Sequence, residues 1–155
     1  MTPREILKRE HEIILHKLQE FEDIINELPC EPDLLLLREV YGKIMHAEEH
    51  HEKEEYLLVR LLNEKGHDVP AKLFMHEHED MRKAKEVLRE IINEGDIERI
   101  KSLLLFEGTF LIRKLREHIK KEDEIFFPWL MDTIFRDELP EIKQKFDEIG
   151  YLYDD

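Results

Sequence analysis

His118-Ile119-Lys120-Lys121-Glu122-Asp123-Glu124-Ile125-Phe126-Phe127-Pro128, together with the earlier stretch His50-His51-Glu52-Lys53-Glu54-Glu55-Tyr56-Leu57-Leu58, decides how this chain folds. Aligning His50 with His118 sets Glu54 on Glu122, Glu55 on Asp123, Leu57 on Ile125, Leu58 on Phe126 and Leu62 on Leu130. A fixed internal offset of this kind predicts two copies of one supersecondary unit. Within each copy a His and a Glu stand four apart, which puts both on one helix face. The same face is otherwise apolar. It carries Val40, Ile44, Ala47, Leu57 and Leu61 around the first pair, and Leu111, Leu115, Ile125 and Trp129 around the second.

The segments that precede each stretch repeat as well. Glu10-His11 aligns with Glu77-His78 at an offset of 67 residues, against 68 for the first alignment. Thr2-Pro3-Arg4-Glu5 combines a threonine cap, a proline at the first helical position and a glutamate that completes a capping box. Helix A is therefore predicted over Pro3 to Leu28, with Leu7, His11, Ile14, Leu18, Phe21, Ile25 and Leu28 inward. Pro29-Cys30-Glu31-Pro32 breaks it. Helix B follows over Asp33 to Lys65 and ends at Gly66. Helix C is predicted over Pro70 to Asn93, with Phe74, His78, Met81, Leu88, Ile91 and Ile92 inward. Gly95-Asp96 stops it and caps helix D, which runs to Met131 with Pro128 kinking its last turn. Ile142, Phe146 and Ile149 mark a short amphipathic fifth helix, and Tyr151 to Asp155 are expected to fray. The reading is all-α: an antiparallel up-down four-helix bundle over residues 1–135, with a helical tail over 136–155 packed on it.

Composition agrees and narrows the function. The 155 residues suit one core; 41% are hydrophobic and 40% charged, and five glycines and six prolines leave room for few turns. A net charge of −14 disfavours nucleic acid and anionic membrane surfaces as partners. Cys30 stands alone, so no internal disulfide forms and a reducing, cytoplasmic setting is expected. No apolar run reaches the roughly 20 residues of a membrane span, and the first residues are too charged for a secretory signal.

Nine histidines in this chain are many, and four of them interrupt apolar stripes. His11 lies 17 residues before the predicted end of helix A, and His50 lies 17 after the predicted start of helix B, so an antiparallel hairpin holds both at one height. The second hairpin repeats this with His78 and His118. Four imidazoles and the carboxylates of Glu54 and Glu122 thus meet at one layer. Buried alone, each carboxylate would cost several kcal/mol; divalent cations remove that penalty. Nitrogen and carboxylate donors suit iron, manganese or zinc, and carboxylate-bridged ion pairs suit bundle interiors. His51 with Glu55 is a rival pair one position along, Asp123 is a rival to Glu122, and His46 is a candidate supporting group or extra ligand. His16, His67 and His76 read as solvated. Glu48 with His51 supplies a single Glu-x2-His where a ferritin-like di-iron oxidase needs two.

From residue 5 to residue 131 the pattern resembles the hemerythrin-like, or HHE cation-binding, family. The resemblance rests on Arg-Glu-His11-Glu, on His50-x3-Glu54, on Glu-His78-Glu and on the string from His118 to Pro128. It implies two iron ions joined by an oxo or hydroxo group, with zinc or manganese as substitutes. His11, His50, His78 and His118 would be terminal ligands, and Glu54 and Glu122 bridges. The implied partner is a small diatomic ligand, O2 or NO. Oxygen carriers of the family place a His four residues before the third-helix His, where this chain has Phe74, and use His-x4-Asp on the fourth helix, which His118 and Asp123 could satisfy. The pattern is closer to the broader cation-binding relatives, including iron-sensing and iron-sulfur-repair proteins, without the cysteine-bearing module of the latter. An oxygen- or peroxide-reactive enzyme, a structural zinc site and a metal-free helical interaction module are the alternatives. Either a monomer or a dimer is compatible with one apolar row per helix.

Overall fold

The computed structural model describes residues 1–28, 30 and 32–152, excepting the side chains of Glu48 and Glu49. Pro29 and Glu31 of the expected first break, Glu48 of the Glu-x2-His pair, and residues 153–155 of the expected frayed end fall outside that description. The described backbone is helical and holds no strand: α1 (Pro3–Asn26), α2 (Leu34–His46), α3 (Glu48–Glu55), α4 (Leu62–Glu64), α5 (Asp68–Glu94), α6 (Ile97–Lys121), α7 (Phe127–Trp129) and α8 (Leu139–Ile149). π-helical turns at Tyr56–Leu61, Glu122–Phe126 and Leu130–Ile134 carry α3 into α4, α6 into α7, and α7 onward. Helix B is thus α2 to α4, and helix D is α6 with its continuation.

Local chemistry explains the starts. Thr2 accepts from the Glu5 amide while Glu5 reaches back to the Thr2 amide, a complete capping box. Asp33 and Asp96 cap α2 and α6 by accepting from Leu36 and Arg99 amides. Gly95, at φ 71°, ends α5 in the left-handed conformation. Ala47 divides the predicted continuous helix B: its N–H reaches Ile44 O at 3.2 Å, and its carbonyl accepts from His50 N at 3.0 Å, closures tighter than the α-helical one.

α1 packs on α2 and α6, and α5 packs on α6 and α2, an up-down ring of four. One apolar cluster, with Leu18, Phe21, Ile44, Leu88 and Leu111, fills the end near the α1–α2 and α5–α6 connections. A second, with Leu7, Leu57, Leu58, Phe127, Leu130 and Phe146, fills the other. Buried polar residues form a layer between them. α8 lies against α1 and α3, burying Ile142 and Phe146.

Two expectations need correction. The apolar stripe of helix D places Ile125 and Trp129 inward, yet Ile125 is 70% exposed and Trp129 37%. The π-helical turn that begins at Glu122 adds a residue to the turn and rotates the residues beyond it. Phe126, Phe127, Leu130 and Met131 take the inward places instead. Tyr151 and Leu152 do not fray: Tyr151 lies over Lys53, and Leu152 is buried in the first apolar cluster with its amide donating to Glu10 Oε2 at 2.8 Å.

Candidate metal centre

All six residues singled out from the stripes are buried and face one another: His11 on α1, His50 and Glu54 on α3, His78 on α5, His118 on α6, and Glu122 at the first residue of the adjoining π-helical turn. Their donor atoms fall into two overlapping groups, His11 with His50 and Glu54, and Glu54 with His78, His118 and Glu122. Glu54 belongs to both. Its Oε1 lies 3.0 Å from His11 Nε2 and in contact with His50 Nε2, while its Oε2 lies 2.8 Å from His78 Nε2 and 4.0 Å from His118 Nε2. Glu122 Oε1 lies 2.6 Å from His118 Nε2 and 3.7 Å from His11 Nε2.

Every imidazole turns Nε2 inward, and three of the four hydrogen-bond through Nδ1 to a carboxylate outside the layer. His11 Nδ1 pairs with Asp123 at 2.7 Å, His50 with Glu10 at 3.2 Å and His118 with Glu77 at 2.8 Å. His78 Nδ1 lies 3.8 Å from Glu55, beyond hydrogen-bond reach, and Glu55 pairs with Arg82. The pattern has pseudo-twofold symmetry. The carboxylate just before the first-helix His supports the second-helix His of its own hairpin; the carboxylate just after the second-helix Glu faces the first-helix His of the other. A carboxylate behind Nδ1 fixes the tautomer and leaves Nε2 as the donor. Sequence reasoning misses this role, although the internal alignment matches Glu10 to Glu77 and Glu55 to Asp123. Asp123 therefore supports His11 and is not in the inner groups.

The remaining histidines separate cleanly. His51 is buried but stacks on the His78 ring at 4.7 Å outside the two groups, and its rival partner Glu55 turns to Arg82. His46 faces outward at the end of α2. His16 and His76 are exposed beside Glu20 and Asp80, and His67 packs edge-on against Trp129.

The electrostatics show the carboxylates drawing protons onto the imidazoles of the layer. Burial pushes the Glu54 carboxyl up, but His50, His11 and His118 outweigh it and hold the group well below the usual carboxylate range. Glu122 goes the other way: burial first, then the charge on Glu54, raise it against the pull of His118. Burial opposes a charge on His11, yet hydrogen bonds to Asp123 and Glu54 push it up to about 10. Burial opposes a charge on His118 too, and Glu122, Glu54 and Glu77 push it up to about 12. Even so, neither Glu54 Oε2 nor either oxygen of Glu122 accepts a well-formed hydrogen bond among the described residues, and His78 Nδ1 makes none. Orphaned buried acceptors surrounded by inward Nε2 atoms fit divalent cations, and the donor set is the one iron, manganese and zinc share.

A cavity of about 10 Å³ adjoins the layer, walled by Ile14, Ile44, Leu115 and Ile119 as well as by His11, His50 and Glu122. On the other flank Phe74, stacked on Phe126 at 3.7 Å, stands 6.1 Å from the His118 ring, where a further histidine would have supplied a donor.

No helix is long and apolar enough to cross a membrane among the described residues. Neither a curated protein nor a solved structure matches the chain. The family model of the hemerythrin HHE cation binding domain matches residues 2–130, which takes in all four bundle helices and every residue of the buried layer. On that match, and with a layer suited to cations at its centre, the chain belongs to the hemerythrin HHE cation-binding domain family.

Proposed function

We propose that the buried layer holds two iron ions and that the protein binds or senses a diatomic ligand, O2 or NO. The observation that carries this reading is the position of Glu54, whose two oxygens address different histidine pairs: Oε1 faces His11 and His50, and Oε2 faces His78 and His118. A carboxylate so placed would hold two cations together, with Glu122 beside it and His11, His50, His78 and His118 as the nitrogen donors. When bound, such a pair supplies reversible one- and two-electron chemistry at an open coordination position. The chain's own contribution is to hold Nε2 inward through the outer carboxylates, to keep Glu54 ionised, and to exclude bulk water with Ile14, Leu115, Ile119 and Phe74. The space enclosed by the layer, about 10 Å³, leaves no room for an organic substrate.

A peroxide-reactive centre is the second reading. Phe74 stands where carriers of the family have a histidine, so the His78 and His118 side is poorer in nitrogen donors and more open to reaction.

The test is elemental analysis of protein purified without a chelating tag, with ultraviolet-visible spectra taken anaerobically and after admitting air or NO. About two irons per chain and a new charge-transfer band on exposure are expected. A chain that takes up no iron on anaerobic reconstitution would overturn the proposal. Consumption of peroxide with turnover would move the assignment to the second reading.

A further inference from the structure

Glu10 differs from the other carboxylates behind the histidines. It is 2% exposed, and besides His50 Nδ1 it engages Lys53 Nζ and the Leu152 amide. One oxygen serves the imidazole: Oε1 lies 3.2 Å from His50 Nδ1. The other serves the tail: Oε2 accepts from Leu152 N at 2.8 Å and meets Lys53. Lys53 in turn sits beneath the Tyr151 ring, 4.9 Å from its centroid. Leu152 is buried with the first apolar cluster, and α8 holds the approach to it through Ile142 and Phe146. The contacts run unbroken from the C-terminal segment to Nε2 of His50: Leu152 amide, Glu10 carboxylate, His50 ring.

We infer that the C-terminal segment belongs to the metal centre: the Leu152 amide, acting through Glu10, positions His50 and thereby sets the cation affinity of the His11–His50 half. Glu10 and the Leu152 amide are positioning groups, since neither reaches the layer itself. Among the described residues the other half has no such strap. Glu77, the counterpart of Glu10, is 38% exposed and meets His118 and Lys121, and no described tail residue. Two cations of the same kind should therefore bind unequally. A family-wide ligand pattern does not require this; it arises from where Tyr151 and Leu152 lie.

The inference rests on the proposed cation-binding role, and its test separates the two. The full chain, stripped of metal, is titrated with Co2+ alone, and its ligand-field bands are followed step by step. Leu152→Pro removes the amide proton but keeps an apolar side chain, whereas Leu152→Ala keeps the proton and loses packing. Leu152→Pro is expected to weaken one of the two steps by about tenfold or more and leave the other, in the range seen when groups supporting a ligand are lost. Leu152→Ala should leave both. Equal affinities in Leu152→Pro and the parent, or an equal loss in Leu152→Ala, would overturn the inference. Circular dichroism establishes that each variant is folded. Should Leu152→Pro fail to fold, nitrogen-15 spectra of the unsubstituted chain decide. A His50 Nδ1–H held against solvent exchange is expected with and without Zn2+, and a His50 proton resting on Nε2 in the metal-free chain would refute the latch. If the chain binds neither Co2+ nor Zn2+ but His50 Nδ1–H is protected, the cation-binding reading fails while the latch stands.

Discussion

The A–B and C–D hairpins offer the same groups in the same order, and they hold them differently. In C–D, Glu77 supports His118 from a half-exposed place, and the His118 contact holds its carboxyl down to about 2. In A–B, Glu10 does the same for His50 from complete burial, with Lys53 and the Leu152 amide as further donors. Glu10 is also lowered: burial pushes it up, and His50, Lys53 and the tail amide outweigh that. The repeat decides which atoms point at the cation layer. The elements packed outside the repeat, here α8 and the residues after it, decide how firmly each atom is held.

Removing the cations tests whether that difference matters, and it carries the largest expected effect. Each bound cation stabilises the fold by about 4 kcal/mol when free metal exceeds its Kd a thousandfold. For a domain of this size that raises Tm by about 8–16 °C. Calorimetry of the loaded chain against increasing chelator should therefore show a large fall, in two stages if the halves are unequal. Glu54→Gln should abolish most of the metal-dependent gain, because Glu54 serves both halves; Glu122→Gln should retain part of it. A melting temperature indifferent to chelation would remove the physical basis for comparing the halves at all.

The outer carboxylates give the next largest contrast, in the metal-free chain. Glu10→Gln leaves the Lys53 ammonium buried without its counter-charge, and breaking a buried pair from one side costs about 3–5 kcal/mol. Glu77→Gln removes a partly exposed partner from His118 and Lys121; solvent screening holds that cost to about 1 kcal/mol or less. Urea denaturation of both variants measures the gap. Equal losses would mean that the tail does not distinguish the halves.

The six inner residues were legible in the sequence because burial and helical spacing leave few choices for a polar group on an apolar stripe. His11, His50, Glu54, His78, His118 and Glu122 all face the layer, and the Thr2, Asp33 and Asp96 starts follow from capping chemistry that acts within a few residues. The π-helical turns were not legible. They depend on whether the backbone after Glu54 and Glu122 closes with one extra residue, a choice made by packing across the bundle, and the outward turn of Ile125 and Trp129 results from it. The supporting carboxylates were visible as acidic neighbours in both repeats, but a charged residue beside a buried one reads first as solvated. The contact of Leu152 with Glu10 joins positions 142 apart and left no local signal.

Proton competition sharpens the comparison on a smaller scale. His11 belongs to one half and His118 to the other, and with values near 10 and 12 both carry a second proton at neutral pH in the stripped chain. A cation at Nε2 takes the place of that proton, so apparent affinity should rise with pH, by about tenfold per unit for each proton released. Competition titrations with Zn2+ over about pH 6 to 8 should show this rise in both binding steps. Stability of the stripped chain moves oppositely. Both folded values exceed the ordinary 6.5, so the contribution is full below that pH and is lost as pH rises through about 10, and then through about 12. A rise confined to one binding step would assign the displaced proton to one half alone.

The smallest effect concerns the connections. Gly66 links the two hairpins at φ 83°, and Gly95 turns within the second at φ 71°. Both conformations strain a side chain, so alanine at either costs about 1 kcal/mol. A Cβ at Gly66 meets nothing within 4 Å, whereas one at Gly95 would lie 3.1 Å from Arg38 Nη2 and 3.4 Å from Leu34 Cδ2. Arg38 also donates to Asn93 O at 3.2 Å, tying the second turn to α2. Gly95→Ala is therefore expected to lose slightly more than Gly66→Ala in urea, because the guanidinium must swing aside and loosen that tie. Neither turn touches the buried layer, so Co2+ affinity should be unchanged in both variants. A change in Gly95→Ala alone would mean that the C–D hairpin's geometry at the layer is set from its distant turn, a control the A–B half would then receive from its tail instead.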